Sequence, residues 1–145
     1  IGVNKYDSHT LFERKKVVLT GVPGAFTPTC SEKHLPEFIE KANEIRARSI
    51  DEIFFMAVND PFFMAYWGKQ YNKPGSIRMI GDPEGNFTKE VGLDIDLSVA
   101  GLGLRSKRFT AVIEDNIATY IEAEEAPPNY ERSSASTLIN FLKNR

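Results

Sequence analysis

The 145-residue sequence contains one cysteine, Cys30. No internal disulfide can form, which excludes the small secreted scaffolds that disulfides hold together. Metal ligands are scarce too: His9, His34 and Cys30 are the only histidines and cysteine, and they show no ligand spacing. No apolar run approaches the ~18 residues of a membrane-spanning helix; the longest, Ile53 to Val58, is of strand length. An excess of one charge is also lacking. The 18 Lys and Arg against 20 Asp and Glu leave a net charge of -2, which provides no electrostatic reason to expect nucleic acid or an anionic membrane as a partner. Without internal repeats, low-complexity tracts or a Pro/Gly/Ser-rich linker, residues 1–145 read as one domain. The chain opens at Ile1 with no initiator Met and no signal-peptide pattern. A cleaved or trimmed leader is compatible with this, so the compartment stays open. A lone thiol suits a reducing one, cytoplasmic or organellar.

What is present alternates between two periodicities. Lys15 to Val22 and Glu52 to Asn59 are continuous β-branched and aliphatic runs that predict buried strands, and Ile77 to Gly81 predicts a third. After the first, Leu35, Phe38, Ile39, Ala42 and Ile45 form the stripe of an amphipathic helix. Pro36 within that stripe predicts a kink or a boundary near its start. Asp60-Pro61 reads as an N-cap followed by proline at the first helical position, so Phe62 to Tyr71 is expected to be helical. A turn is expected at Asp82-Pro83-Glu84-Gly85, and Arg108 to Glu114 and Ile117 to Ala123 flank a hairpin turn at Asp115-Asn116. Ser133 to Asn144 closes the chain as a short amphipathic helix. The early βαβ alternation implies parallel strands, and the late hairpin adds antiparallel ones. The expected class is α/β: a mixed β-sheet flanked by helices, similar to a thioredoxin-like fold, with the cysteine at the N-terminus of the first long helix.

A lone cysteine is most often a small buried hydrophobe, but the setting of Cys30 argues otherwise. It follows a tight turn, Pro23-Gly24-Ala25-Phe26-Thr27-Pro28-Thr29, at the start of a helix. Unpaired N–H groups and the positive end of the helix dipole favour an anion there, and such positions favour thiolate over thiol. Thr27, three residues back, offers a hydroxyl that both donates and accepts, although threonine is also a common turn or capping residue. T-P-T-C resembles the C-x-x-C of thioredoxins with the first sulfur replaced by a hydroxyl. Dithiol exchange is therefore unavailable, and a thiol transferase reading is disfavoured.

The stretch from Pro23 to Ser31, PGAFTPTCS, resembles the active-site signature of the peroxiredoxins, P-x-x-x-[TS]-x-x-C. Continued into His34-Leu35-Pro36, it is similar to the type II, or peroxiredoxin V-like, branch. Val58-Asn59-Asp60-Pro61-Phe62, with Met64 and Trp67 behind it, and Gly101-Leu102-Gly103 leading to Arg105-Ser106-Lys107-Arg108-Phe109 extend the likeness over nearly the whole chain. The resemblance implies that Cys30 is the peroxidatic cysteine, oxidised to sulfenic acid in each turnover. By the same resemblance Thr27 hydrogen-bonds the thiolate and the peroxide, Pro23 shields the sulfur, and Arg108 places its guanidinium beside the thiolate. Arg105 lies in the same basic stretch, and the family pattern selects Arg108. His34, Gly24, Phe26 and Thr29 are expected around the substrate pocket. His9 has no such setting and is expected at the surface.

Some relatives carry a resolving cysteine, at positions corresponding to the neighbourhood of Phe55 or of Arg132; neither is cysteine here. The resemblance then implies a one-cysteine cycle without metal or organic cofactor, in which an external thiol returns the sulfenic acid to thiol. Glutathione with glutaredoxin is the expected donor and thioredoxin the alternative; the oxidants are hydrogen peroxide and small alkyl hydroperoxides. A redox sensor, or a holdase-like protein passing Cys30 oxidation to a partner without efficient turnover, is the competing reading. Phe62, Phe63, Met64, Tyr66 and Trp67 crowd more apolar bulk onto one short helix than one face can bury. With the resemblance, this leads to the expectation of a homodimer.

Overall fold

The computed structural model describes residues 4–144. Three parallel strands come from the three continuous apolar runs: β1 (Lys16–Gly21), β2 (Glu52–Ala57) and β3 (Ile77–Gly81). Two more β-elements, β4 (Asp94–Asp96) and β5 (Leu104–Ser106), form a separate antiparallel arm. The hairpin β6 (Phe109–Glu114) and β7 (Ile117–Ala123) returns antiparallel against β1, so the main sheet runs β3-β2-β1-β6-β7. Its turn is made by Asp115 and Asn116, both at positive φ (48° and 68°), the geometry that matches the twist of the flanking strands.

Because the central strands are buried on both faces, neighbouring residues serve opposite layers. Val18, Phe55 and Ile53 pack with Phe38, Ile45, Trp67 and Leu138, whereas Val17, Leu19 and Phe54 pack with Leu11 and Phe12. Burial of a phenylalanine such as Phe54 or Phe55, both fully buried, contributes about 1.5–3 kcal/mol. The first layer is covered by α2 (Leu35–Arg46), α3 (Pro61–Gln70) and α5 (Ala135–Lys143), all in the expected places. Asp60 caps α3 by accepting from the Phe63 N–H at 2.8 Å. α1 (Ser8–Phe12), α4 (Asn86–Glu90) and the β4–β5 arm were not expected from the sequence. At three to five residues each they are too short to display a period. His9, in α1, is exposed, and its carbonyl accepts from Asn116 Nδ2 at 2.9 Å.

Pro36 stands at the boundary expected near the helix start, as the second residue of α2. Residues 28–46 are continuously helical, and the irregularity lies just before the proline as a π-helical turn, Cys30–His34. There the Leu35 N–H reaches back five residues to the Cys30 carbonyl. A proline has no N–H to contribute to the following bond, so a widened turn at this point loses little that proline had not already removed.

The segment between β7 and α5, residues 124–134, is strapped across one end of the sheet by two carboxylates. Glu124 Oε2 accepts from the Ser133 N–H at 2.8 Å, the Ser133 hydroxyl at 2.7 Å and the Glu131 N–H at 2.9 Å. Glu37, on α2, accepts from the Tyr130 hydroxyl, from the Ala135 N–H at 2.8 Å and from the Ser136 hydroxyl at 2.7 Å. Burial works to raise the Glu37 pKa, but the bonds from Tyr130, Ser136 and Ala135 outweigh it and hold the carboxyl below its ordinary value. A lowered native pKa means that this stabilisation is complete above the unfolded carboxyl's pKa of about 4.3 and is lost as pH falls through the lower native value. Glu37→Gln is therefore expected to destabilise the fold at neutral pH by about 1 kcal/mol, at the low end for charge-assisted bonds because the group is half-exposed. Urea titrations followed by circular dichroism should show that gap closing as pH drops below about 4; a gap that is independent of pH would refute the assignment.

Candidate active site

The loop after β1 is shaped by close approaches that exclude side chains. At Gly21 a Cβ would meet the Phe109 ring at 2.1 Å, and at Gly24 it would meet Arg105 Nη1 at 2.6 Å. The Gly24 carbonyl is doubly used: it accepts the Thr27 hydroxyl at 2.6 Å and the Thr27 N–H at 3.3 Å. The turn between them carries Phe26 at φ 64°, left-handed backbone that disfavours a bulky residue. Asn59 fixes the same turn from the loop after β2, accepting from the Ala25 N–H at 3.0 Å. The helix then starts with Pro28, where no N–H is needed, and the Ser31 N–H closes onto the Thr27 carbonyl at 3.0 Å. Cys30 thereby falls in the first helical turn, with no solvent exposure.

Arg108 reaches it from the residue just before β6. Its guanidinium, on a side chain only 2% exposed, donates Nη2–H to Cys30 Sγ at 3.3 Å and Nη1–H to His34 Nδ1 at 2.9 Å. Nη2 and Nε also donate to the Pro127 carbonyl, at 2.9 and 3.2 Å. Pro127 sits in the strap held by Glu37 and Glu124. The π-helical turn sets Cys30 and His34 so that one guanidinium serves both. Among the described residues no carboxylate is hydrogen-bonded to Arg108.

Arg105, on β5, does different work. It donates to the Pro23 carbonyl at 3.2 Å and to the Leu102 carbonyl at 2.9 Å, clamping the buried Pro23-Gly24 turn to the arm. Of the two arginines in the basic stretch, Arg108 is the one on the sulfur. The proton of the Thr27 hydroxyl goes to Gly24, so its lone pairs are what it can offer an incoming O–H. Thr29 is half-buried in the first helical turn.

His34 does not border an open pocket. It is fully buried behind Arg108, its ring 4.8 Å from that of Tyr130 and 5.1 Å from that of Phe55. Burial, and then the Arg108 charge, pushes its pKa well below the ordinary histidine value, so it is neutral. Phe26 lies at the surface, 4.9 Å from the Phe63 ring and 5.9 Å from that of Tyr66. Met64 and Trp67 of α3 point into the core, while Phe62, Phe63 and Tyr66 are exposed. Trp67 Nε1–H donates to Ser31 Oγ at 2.9 Å, one residue from Cys30.

Several contributors were not singled out in the sequence: Thr20, whose hydroxyl lies 2.8 Å from His34 Nε2, Asn59, Pro127 and the Glu37–Tyr130 pair. Asn59 stood within a motif that could have marked it; a backbone carbonyl such as that of Pro127 leaves no signature in side-chain identity. Among the described residues no group of three or more His, Cys, Asp or Glu could hold a metal ion, and no helix is long and apolar enough to cross a membrane.

The likeness to known proteins agrees with this geometry. A family profile described as Redoxin matches residues 2–139. The chain is 45% identical to Peroxiredoxin-2B of Arabidopsis thaliana over 134 residues, covering 92% of this chain and 82% of that protein. Among solved structures, reduced Prx3 from Vibrio vulnificus in complex with hydrogen peroxide superposes with a TM-score of 0.90 at 42% identity, covering 95% of this chain and 84% of that one. The Plasmodium falciparum antioxidant protein, a 1-Cys peroxiredoxin, does so with a TM-score of 0.90 at 33% identity, over 97% and 82% of the two chains. With a thioredoxin-like sheet, a single cysteine and these relatives, the chain belongs to the redoxin family as a peroxiredoxin of the type II, peroxiredoxin V-like branch, a thiol-dependent peroxidase.

Proposed function

We propose that Cys30 is the peroxidatic nucleophile and that hydrogen peroxide and small alkyl hydroperoxides are its oxidants. The observation that carries this reading is the buried guanidinium of Arg108. A charge 2% exposed costs several kcal/mol unless an anion answers it. Of the groups hydrogen-bonded to it, the Pro127 carbonyl and neutral His34 stay uncharged, and only the Cys30 sulfur can become an anion. The guanidinium donates to that sulfur at 3.3 Å, a charge-assisted hydrogen bond once the sulfur carries negative charge.

In the reaction the thiolate attacks the terminal oxygen of R–O–O–H. The S–O bond forms as the O–O bond breaks, leaving Cys30 as S–OH and releasing RO⁻, which takes a proton from water to become ROH. Charge passes from sulfur to oxygen along the attack line, so N–H donors of Arg108 beside the sulfur stabilise the transition state more than the ground state. Thr27 accepts a hydrogen bond from the peroxide, Pro23 covers the sulfur, and Gly24, Phe26 and Thr29 surround the approach. An external thiol then attacks S–OH, giving a mixed disulfide and water, and a second thiol releases the Cys30 thiol and a disulfide. Glutathione with glutaredoxin is the donor we favour. Full burial of Cys30 suits a small oxidant, and it requires the helix start to open for a thiol donor. The hydrogen peroxide complex of the Vibrio relative supports the oxidant class. The exposed Phe26, Phe62, Phe63 and Tyr66 form the face we assign to a homodimer.

Cys30→Ser is expected to abolish peroxide consumption with an unchanged circular dichroism spectrum; retained turnover would overturn the reading. Arg108→Ala should slow oxidation by about 10²–10³-fold, followed in stopped flow through Trp67 fluorescence, with Arg105→Ala slowing it less. After one equivalent of peroxide, glutathione plus glutaredoxin should restore the thiol mass faster than thioredoxin does, and the reverse order would reassign the donor. Phe63→Asp should yield monomers in sedimentation velocity, where the unaltered chain sediments as a dimer.

A further inference from the structure

The hydrogen bonds around His34 run in one direction only, and that direction can be derived. Arginine has donors and no acceptor, so His34 Nδ1, 2.9 Å from Arg108 Nη1, carries no proton. A neutral imidazole then holds its proton on Nε2, which lies 2.8 Å from Thr20 Oγ1. Thr20 must accept that proton, and its own hydroxyl proton goes to the Phe109 carbonyl at 2.7 Å. Thr110, directly across from Thr20 in the sheet, lies 3.1 Å away, but its proton is directed to the Ser133 carbonyl at 2.6 Å. The chain thus runs from the guanidinium through His34 and Thr20 to the carbonyl of residue 109, next to the arginine where it began.

We propose that Thr20 is a positioning residue: by accepting the Nε2–H of His34 it fixes the imidazole tautomer that holds the Arg108 guanidinium on the Cys30 sulfur. This rests on the assignment of Cys30 and Arg108 above. Thr20 and His34 are both fully buried, so no solvent replaces a missing acceptor. With no hydroxyl at position 20, the buried Nε2–H has no partner, which costs about 1–3 kcal/mol. The alternative tautomer removes that cost but aims Nδ1–H at an arginine N–H, and the guanidinium must then shift away from the sulfur. The charged and titratable groups facing His34 are Arg108 from the residue before β6, Cys30 from its own helix and Tyr130 from the strap. Behind them lie Glu37, bonded to Tyr130, and Glu124, whose carboxyl feels Arg108. The rest of the surround is Phe38 and Phe55. Burial, and then Glu37, raises the Tyr130 phenol well above its ordinary value, so it stays neutral.

A purely structural threonine predicts the opposite outcome on substitution. Valine matches its shape and favours strands, so Thr20→Val would leave the rate unchanged. On the present reading Thr20→Val slows oxidation of Cys30 by hydrogen peroxide about 10- to 100-fold, below the loss from removing a donor itself, while Thr20→Ser, which keeps the hydroxyl, stays within about threefold of the unaltered protein. Long-range ¹H–¹⁵N spectra of the imidazole in the unaltered protein should show a protonated Nε2 and a bare Nδ1, without change from about pH 5 to 9. In Thr20→Val that pattern is lost or mixed. A rate for Thr20→Val equal to the unaltered one, equal slowing by valine and serine, or a proton on Nδ1 in the unaltered protein would each overturn the proposal. Failure of the underlying assignment looks different: the unaltered protein would react with peroxide no faster than free cysteine, whatever tautomer His34 holds.

Discussion

A buried guanidinium must aim its N–H groups at acceptors, and Arg108 obliges three separate parts of the chain to supply them. The strap before α5 contributes the Pro127 carbonyl, the helix after β1 contributes His34 and Cys30, and β1 contributes Thr20 behind the histidine. None of these is a carboxylate. An aspartate or glutamate in their place would bind the arginine more tightly and satisfy its charge permanently. Neutral acceptors hold the group in position and leave its charge directed at the sulfur.

Each supporting feature can be traced to that constraint. The strap would be a loose eleven-residue connection between Ala123 and Ala135 were it not for Glu124 at its start and Glu37 at its end, each accepting three hydrogen bonds. The π-helical turn has a comparable function. Its wider spacing lets residues 30 and 34 address neighbouring nitrogens of one guanidinium, and it does so where Pro36 had already interrupted the hydrogen-bond ladder. On the other side of the sulfur, Arg105 and Asn59 hold the Pro23–Thr27 turn through its backbone rather than through any reactive group.

Much of this was legible in the sequence, for identifiable reasons. The three parallel strands are continuous apolar runs, the cap at Asp60 has a local partner three residues away, and Asp115-Asn116 accepts positive φ more readily than other pairs. The turn from Pro23 to Cys30 is local as well, since its bonds among Gly24, Thr27 and Ser31 span a few residues. What could not be read has long-range partners or none in side-chain identity. Thr20 in a strand looks like any β-branched residue, because the hydroxyl matters only when His34 and Phe109 arrive from 14 and 89 positions away. Pro127 acts through a carbonyl that every residue carries. His34 was expected at the pocket because it lies one turn from Cys30, and the wider turn directs it inward instead.

The sequence by itself therefore determined the order of the main-sheet strands and of the three helices that cover them, the single sulfur at a helix start and the membership of a family that carries out peroxide chemistry, because each depends on short-range pattern and composition. Only the tertiary structure decided what the second arginine holds in place of the sulfur, which histidine nitrogen faces the guanidinium, and which carbonyl completes the guanidinium's bonds. Those outcomes depend on the sheet bringing residues 20, 30, 34, 108 and 127 to one buried point. There every donor must find an acceptor within the protein, since Thr20, Cys30, His34 and Arg108 are buried away from solvent.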